Sequence, residues 1–491
     1  MCTARVIAQP LLLILLAVPT RAQVPATQPV TIGSQLELFV DAALIAHTQG
    51  AALRLHSPVR QETVFTFDAP WEGPESGYVA ILHDGTRWRM YYRGGGEQTR
   101  EHACLAFSED GRQWTRPTLG LFESNGSKDN NIIWTGPNPA YCQAHNFTPF
   151  LDANPAAPPD QRWKAVTLDV AQLPGESDRR PVLAAYVSSD GIHWRRLQDD
   201  PILTVGSFDS QNVAFWDAAR ATYVCYARIG RDGKRNINRA TSTDFVHWTP
   251  PVLLDYGDAP IEHFYTNAIT PYPRAPHLLL GFPMRFVPPA QRATVGYPPR
   301  KTDGLSDAVF MSSRDGVHWQ RPLLEAFLRP GLDPGRWGGA HGNNTPAWGL
   351  VQTGPTELSV YWAENYGTDN EGRARIPRLA RGTVRLDGFA SMHAGYAGGE
   401  FITHPLVFAG CRLRVNFSTS AVGSVRVELQ DAAGTPLPGY ALADAEEIWG
   451  DELERVVTWK GGENVAALAG QPVRLRFVLK DADVFAFCFG E

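Results

Sequence analysis

Apolar positions in this chain fall in short alternating, β-branched and aromatic runs, and no long segment keeps a helical period. Five such runs resemble one another: 88–93 (WRMYYR), 163–169 (WKAVTLD), 223–228 (YVCYAR), 278–285 (LLLGFPMR) and 358–364 (LSVYWAE). A short apolar strand precedes each of them. A third strand follows, as at 103–107, 183–187 and 308–311, and leads into a polar turn. That turn reads SEDGRQW at 108–114, SSDGIHW at 188–194, STDFVHW at 242–248 and SRDGVHW at 313–319. In every copy a Ser stands two residues before Asp110, Asp190, Asp244 or Asp315, and a Trp stands four after it. Asp in a tight turn accepts nearby backbone N–H groups, and Gly supplies a conformation that most side chains resist. The Trp then enters a fourth strand. A fifth copy is degenerate, with Asp387-Gly388-Phe389 after strand 381–386.

Repeated four-stranded units predict an all-β fold, a five-bladed β-propeller between about Asp68 and Ala390. At roughly 65 residues per unit, against ~40–50 in compact propeller repeats, the excess belongs to loops. An early strand at 36–40 (LELFV) is expected to close the ring by joining the last blade. From about Gly395 the turn motif disappears and alternating strands predict a small C-terminal β-sandwich, packed on the propeller. The expected organisation is a signal peptide at 1–22, the propeller at 23–395 and the sandwich at 396–491.

The signal peptide is read from Arg5, a mostly apolar stretch at 6–18 and Thr20-Arg21-Ala22 before a cleavage at Gln23. That apolar stretch is short for a bilayer span. The expectation is a secreted or periplasmic protein with no stable membrane insertion. The formal net charge is −6, and without a basic stripe nucleic acid is excluded as a partner. Outside the signal stand Cys104, Cys142, Cys225, Cys411 and Cys488, an odd number. Cys411 and Cys488 either pair with each other or stand as isolated thiols.

Candidate chemistry lies where the units differ. Asn146, Asn212, Asn267 and Asn344 introduce the innermost strands of four units, so the residues before them converge on one mouth of the central channel. Those residues are Trp71, Glu72 and Glu75 in the first unit, His145 in the second and Asp209 in the third. Glu262, His263 and Tyr265 follow in the fourth, and Trp337 and His341 in the fifth. Paired carboxylates, one protonated and one ionised, suit glycoside hydrolysis, and crowding raises the pKa of one of them. Aromatic rings stack on sugar faces and amides bond hydroxyl groups. A second ring is formed by the ends of the second strands: Arg93, Asp169, Arg228, Arg285 and Glu364. Its alternating sign reads as salt bridges between blades. In the functional alternative, Arg93, Arg228 and Arg285 bind an anionic substrate group. The chemistry requires no cofactor. His145, His263 and His341 are the candidates for a structural metal ion in the channel, although they lack metal-ligand spacing.

With these features the chain resembles the five-bladed propeller glycoside hydrolases, the group that contains the invertase-like family 32 enzymes and their arabinanase-like relatives. The stretch 108–132 (SEDGRQWTRPTLGLFESNGSKDNNI) and the trailing β-sandwich carry the likeness. The resemblance implies three carboxylates from different blades, with Glu75 or Glu72 as base or nucleophile, Asp209 as stabiliser and Glu262 as general acid. The Trp-x-Asn-Asp-Pro-Asn-Gly, Arg-Asp-Pro and Glu-Cys motifs of the invertases are absent. The functional expectation is a secreted glycosidase acting on an oligo- or polysaccharide. The alternatives are a glycoside phosphorylase and a non-catalytic glycan-binding propeller.

Overall fold

The computed structural model describes residues 28–96, 99–137, 143–288, 304–337, 343–367 and 373–491. Residues 1–22, Cys142 and His341 lie outside the described residues. The fold is all-β, a propeller joined to a β-sandwich. Three sheets are four-stranded meanders. The first runs Gly77–His83, Trp88–Gly96, Thr99–Ser108 and Ile132–Trp134. The second runs Thr148–Leu151, Trp163–Gln172, Arg179–Ser188 and Arg195–Arg196, and the third Val213–Asp217, Thr222–Arg231, Lys234–Ser242 and Val252–Leu253. No helix among the described residues is long and apolar enough to cross a membrane.

The fourth unit departs from the expected continuous strands. The run LLLGFPMR is broken between Ala275–Gly281 and Met284–Val287, and the next strand is broken likewise between Leu305–Ala308 and Met311–Ser313. Two three-stranded sheets result. Pro283 sits at the first break, where it has no N–H to give to a ladder. Its carbonyl accepts the N–H of Val309 from the second break instead.

Ring closure also differs from expectation. The strand that completes the last sheet is Val59–Thr66, which pairs with Arg378–Arg385. Glu37–Leu38, within the strand expected to close the ring, pairs with Phe487 and Ala486 near the C-terminus. The closing strand is largely polar and is held by charge: Arg60 donates to Glu364 at 2.9 Å, and Arg381 to Glu62 at 3.0 Å. Trp348 fastens the centre, exchanging backbone hydrogen bonds with Val79 and Ile81 of the first sheet. Its indole N–H reaches Ile269 O at 2.8 Å.

Strands Val30–Gly33, Glu37–Leu38, Ile45–Gln49 and Ala51–Leu55 belong to a ten-stranded sheet with the C-terminal strands. Hydrogen bonding therefore joins segments that the expected division at 395/396 separates. Two long strands, Arg412–Asp431 and Pro472–Gly490, form the spine of that sheet. Its core includes the stacked pairs Phe401–Phe477 and Phe408–Phe489. Cys104, Cys225, Cys411 and Cys488 are free thiols, so the Cys411–Cys488 pairing is not formed.

The four turns share one hydrogen-bond pattern. The Asp Oδ1 accepts two backbone N–H groups, and the Ser Oγ accepts the N–H of the residue after the Asp. Three turns are also clasped by a tyrosine of the preceding sheet around the ring. Tyr91 donates to Gly191 O at 3.2 Å, Tyr226 to Gly316 O at 3.1 Å, and Tyr361 to Gly111 O at 2.7 Å. Gly191 has φ +75°, and a Cβ there would lie 2.6 Å from the Tyr91 hydroxyl. The second unit carries Val166 at the equivalent position, and the turn that follows it holds Phe245 instead of Gly. Phe245 takes φ +67° and packs its buried ring 5.5 Å from Phe150 of the second unit. The fourth unit carries Gly281 there, and the next turn is the degenerate one. The clasp and the turn sequence thus vary together.

Gly191→Ala is expected to lower stability by about 1–3 kcal/mol, from left-handed backbone strain and a blocked approach. Tyr91→Phe should cost about 1 kcal/mol. Denaturant midpoints read both, and wild-type values for both would remove the clasp as a source of stability.

Burial pushes the carboxyls of Asp190 and Asp244 up, but hydrogen bonds from His193 and His247 and from the turn N–H groups outweigh it and hold both well below the usual range. Asp315 is held down in the same way, to about 2. These aspartates contribute stability that is complete above their unfolded pKa, about 3.9, and is lost as pH falls through the folded values. His318 is raised by its hydrogen bond to Asp315, so its contribution is full below about pH 6.5 and fades as pH rises through the folded value. Thermal melts should therefore fall between about pH 4 and 2, and Asp315→Asn should flatten that limb. An unchanged limb would contradict the assignment.

Candidate functional site

The residues that introduce the innermost strands divide into a structural set and a mouth. The four asparagines are structural. Each is at most 2% exposed and gives its amide to backbone carbonyls. Asn146 donates to Phe208 O and Ser210 O of the next unit, and Asn212 to the same two carbonyls at 3.0 Å. Asn267 reaches Gln211 O and Tyr226 O, and Asn344 reaches Ser306 O and Arg336 O. The amides of Asn146, Asn267 and Asn344 bind neighbouring units together, and that of Asn212 ties down the approach to its own strand.

Arg93, at the end of its strand, organises the mouth. Its side chain is 1% exposed. Nε and Nη2 donate to Glu75 O at 2.9 and 2.6 Å, and Nη2 also reaches the Tyr366 hydroxyl at 2.6 Å. The guanidinium carbon lies 4.7 Å from the Tyr78 ring centroid. His145 completes the arrangement. With the proton assigned to Nδ1, it donates to Glu101 Oε1 at 2.8 Å, and Nε2 accepts from Arg93 Nη1 at 3.1 Å. Opposite stands Arg228, which donates to Asp209 and lies 4.8 Å from the Tyr265 ring centroid.

The two groups form one electrostatic site. Tyr78 is within reach of the charges of Arg93 and Arg228 and of Tyr265 and Tyr366, and Asp209 is within reach of His145. Burial pushes the Tyr78 and Tyr366 phenols up, so both are neutral donors. Burial pushes Asp209 up as well, but the Arg228 guanidinium outweighs it and holds the carboxyl below its ordinary range. Glu101 is held down likewise by His145 and Arg93. The Glu75 carboxyl lies near Arg93 and Tyr366 and accepts no hydrogen bond among the described residues. The site thus offers an ionised Asp209, an unbonded Glu75 and a wall of three tyrosines. Tyr78 has φ +48°, an uncommon backbone state for a bulky residue, at the centre of this wall.

Glu75, Arg93, His145, Asp209, Arg228 and Tyr265 are therefore brought together. Other expected site residues are used elsewhere. Glu72 is buried and accepts from Tyr92 at 2.6 Å and from Arg116 at 2.8 Å. Trp71 donates its indole N–H to Asn131. Glu262, the expected general acid, is bridged on one oxygen by Arg285 at 3.1 Å and on the other by Arg321. Two guanidinium groups occupy the carboxylate that was to deliver a proton. Arg285 also pairs with Asp307 at 2.6 Å. Glu364 is held by Arg60 and by Arg336 at 3.3 Å. Salt bridging is thus the role of Arg285 and Glu364 in the second ring. His263 accepts the backbone N–H of Arg235 at 3.2 Å, and burial pushes its imidazole pKa down. Among the described residues no group of three or more His, Cys, Asp or Glu is placed to hold a metal ion.

Tyr78, Glu101 and Tyr366 were not singled out from sequence. Tyr366 lies two residues past Glu364, where its strand ends, and Tyr78 occupies the first unit's counterpart of the Asn-led start. Following each strand for two more residues would have found the former.

No protein-family profile matches the chain, and no curated protein matches it in sequence. Solved structures do. The chain is similar to an N-acetylgalactosamine deacetylase from F. plautii, at 15% identity over 69% of this chain and 96% of that one, with a TM-score of 0.44. It is similar to a glycosyl hydrolase from Bacteroides ovatus, at 14% identity over 71% and 93%, TM-score 0.40. A Bombyx mori family 32 β-fructofuranosidase is similar at 9% identity over 89% and 94%, TM-score 0.41. Similarity at this level says nothing about individual residues.

Proposed function

We propose that the protein is a glycoside hydrolase that cleaves an oligo- or polysaccharide at the propeller mouth. The observation that carries this reading is an ionised Asp209 held by Arg228 beside Tyr265, with an unbonded Glu75 near Arg93 and Tyr366 in the same cluster. Glycosidic cleavage needs one carboxylate to stabilise or activate and one carboxyl to protonate the leaving oxygen. Arg228 keeps Asp209 charged, which fits the first role and leaves proton delivery to Glu75. In this reading the tyrosines stack on sugar faces. In this reading the segment 1–22 exports the chain, placing the enzyme outside the cytoplasm with its glycan.

A second reading, a glycan-binding propeller without turnover, is favoured by one observation: Glu262 is occupied by Arg285 and Arg321, so the expected third carboxylate is missing from the mouth. A glycan panel separates the two. Product release with wild type, reduced about 10²–10⁴-fold in Asp209→Asn and in Glu75→Gln, supports hydrolysis. Glu262→Gln should lower the melting temperature and leave turnover by the folded enzyme within a few fold. Turnover that survives both mouth substitutions, or glycan binding without product, defeats the proposal.

A further inference from the structure

Arg93 and Arg228 stand two residues after Tyr91 and Tyr226 in their strands, Arg285 stands beyond the break in the fourth unit, and the donors of the three are used unequally. Every arm of Arg93 is engaged, by Glu75 O, Tyr366 and His145. Arg285 is engaged by Asp307, Glu262 and Leu324 O. Arg228 gives Nη2 to Asp209, while its Nη1 is shielded from solvent and makes no hydrogen bond among the described residues. Its side chain is only 8% exposed.

A second cation stands beside it. The Arg235 guanidinium lies 5.3 Å from the same Tyr265 ring over which Arg228 lies at 4.8 Å. Among the described residues Arg235 has no carboxylate partner. Two guanidinium groups therefore share one ring, and among the described residues the only carboxylate paired with either is Asp209, whose side chain is 60% exposed and screened by water. The neighbouring phenol of Tyr78 is neutral and supplies no compensating charge. A sugar hydroxyl would satisfy the open donor and leave the excess charge. A carboxylate satisfies both, because one of its oxygens can accept the Nη1 donor that Asp209 leaves unused while its charge balances the pair.

We propose that Arg228 and Arg235, seated on Tyr265, form a subsite for the carboxylate of an acidic sugar, so that the glycan taken at this mouth contains hexuronic acid. The inference rests on the mouth being the glycan site, and it does not require turnover. The test is calorimetric titration of the full chain at low ionic strength with oligogalacturonate and with glucuronate-containing oligosaccharides, each beside its carboxyl-reduced counterpart. At least one acidic form should bind about 10- to 100-fold more tightly than its reduced partner, the range expected for a charge-assisted hydrogen bond. Arg228→Met should erase that preference, and Arg228→Lys should restore only part of it. Arg235→Ala should shrink it without loss of fold, checked by thermal melting. Glu75→Gln should abolish cleavage and keep the preference, so a chain that binds acidic glycans without cutting them defeats only the hydrolase reading. Equal affinity for acidic and reduced forms, no binding of any acidic oligosaccharide, or a preference intact in both Arg228→Met and Arg235→Ala overturns the subsite.

Discussion

The propeller depends on a hydroxyl group delivered from one sheet into the turn of the next. Tyr91, Tyr226 and Tyr361 each place a phenol against a glycine carbonyl, and each requires the glycine to be bare on that side. The contact couples two choices made far apart in sequence. A Tyr in one second strand demands Gly in the next turn, and Val166 permits Phe245. The Asp at the head of the turn is therefore more than a local hydrogen-bond acceptor. It holds the loop at the curvature that puts the glycine carbonyl within reach of the neighbouring sheet.

This coupling explains which parts of the fold were readable. The four turns announce themselves because Ser, Asp, Gly and Trp each do separate local work. The closing strand does not, because Val59–Thr66 is bound by cross-strand charges, Arg60 with Glu364 and Glu62 with Arg381, whose partners lie some three hundred residues away. A polar strand satisfied by distant ion pairs looks like a loop in sequence. The split fourth unit was half-visible: Pro283 was on view inside an apolar run, but apolar continuity outweighed it in the reading.

The site was legible as a location and less so as a set of roles. Charged and amide groups do gather before the innermost strands. Sequence cannot distinguish a carboxylate bridged once and open to solvent from one bridged on both oxygens, and that distinction separates Asp209 from Glu262. It also cannot show that an Asn repeated at four unit starts is repeated because the frame needs it. Asn146 and Asn267 bond the backbone of a neighbouring unit, which is a requirement of symmetry, whereas Arg93, His145 and Arg228 break the symmetry.

The ring is shut by residues near one end of the chain meeting residues 319 positions later, and the strands before the closing one are stitched into the C-terminal sheet. Until the final strand, Pro472–Gly490, is made, Glu37–Leu38 has no ladder partner and the opening strands have no complete sheet to join. Such contact order makes folding slow and leaves unpaired strand edges exposed meanwhile. The architecture makes the strand Pro472–Gly490 as indispensable to the ladder of Glu37–Leu38 as to its own partner Arg412–Asp431.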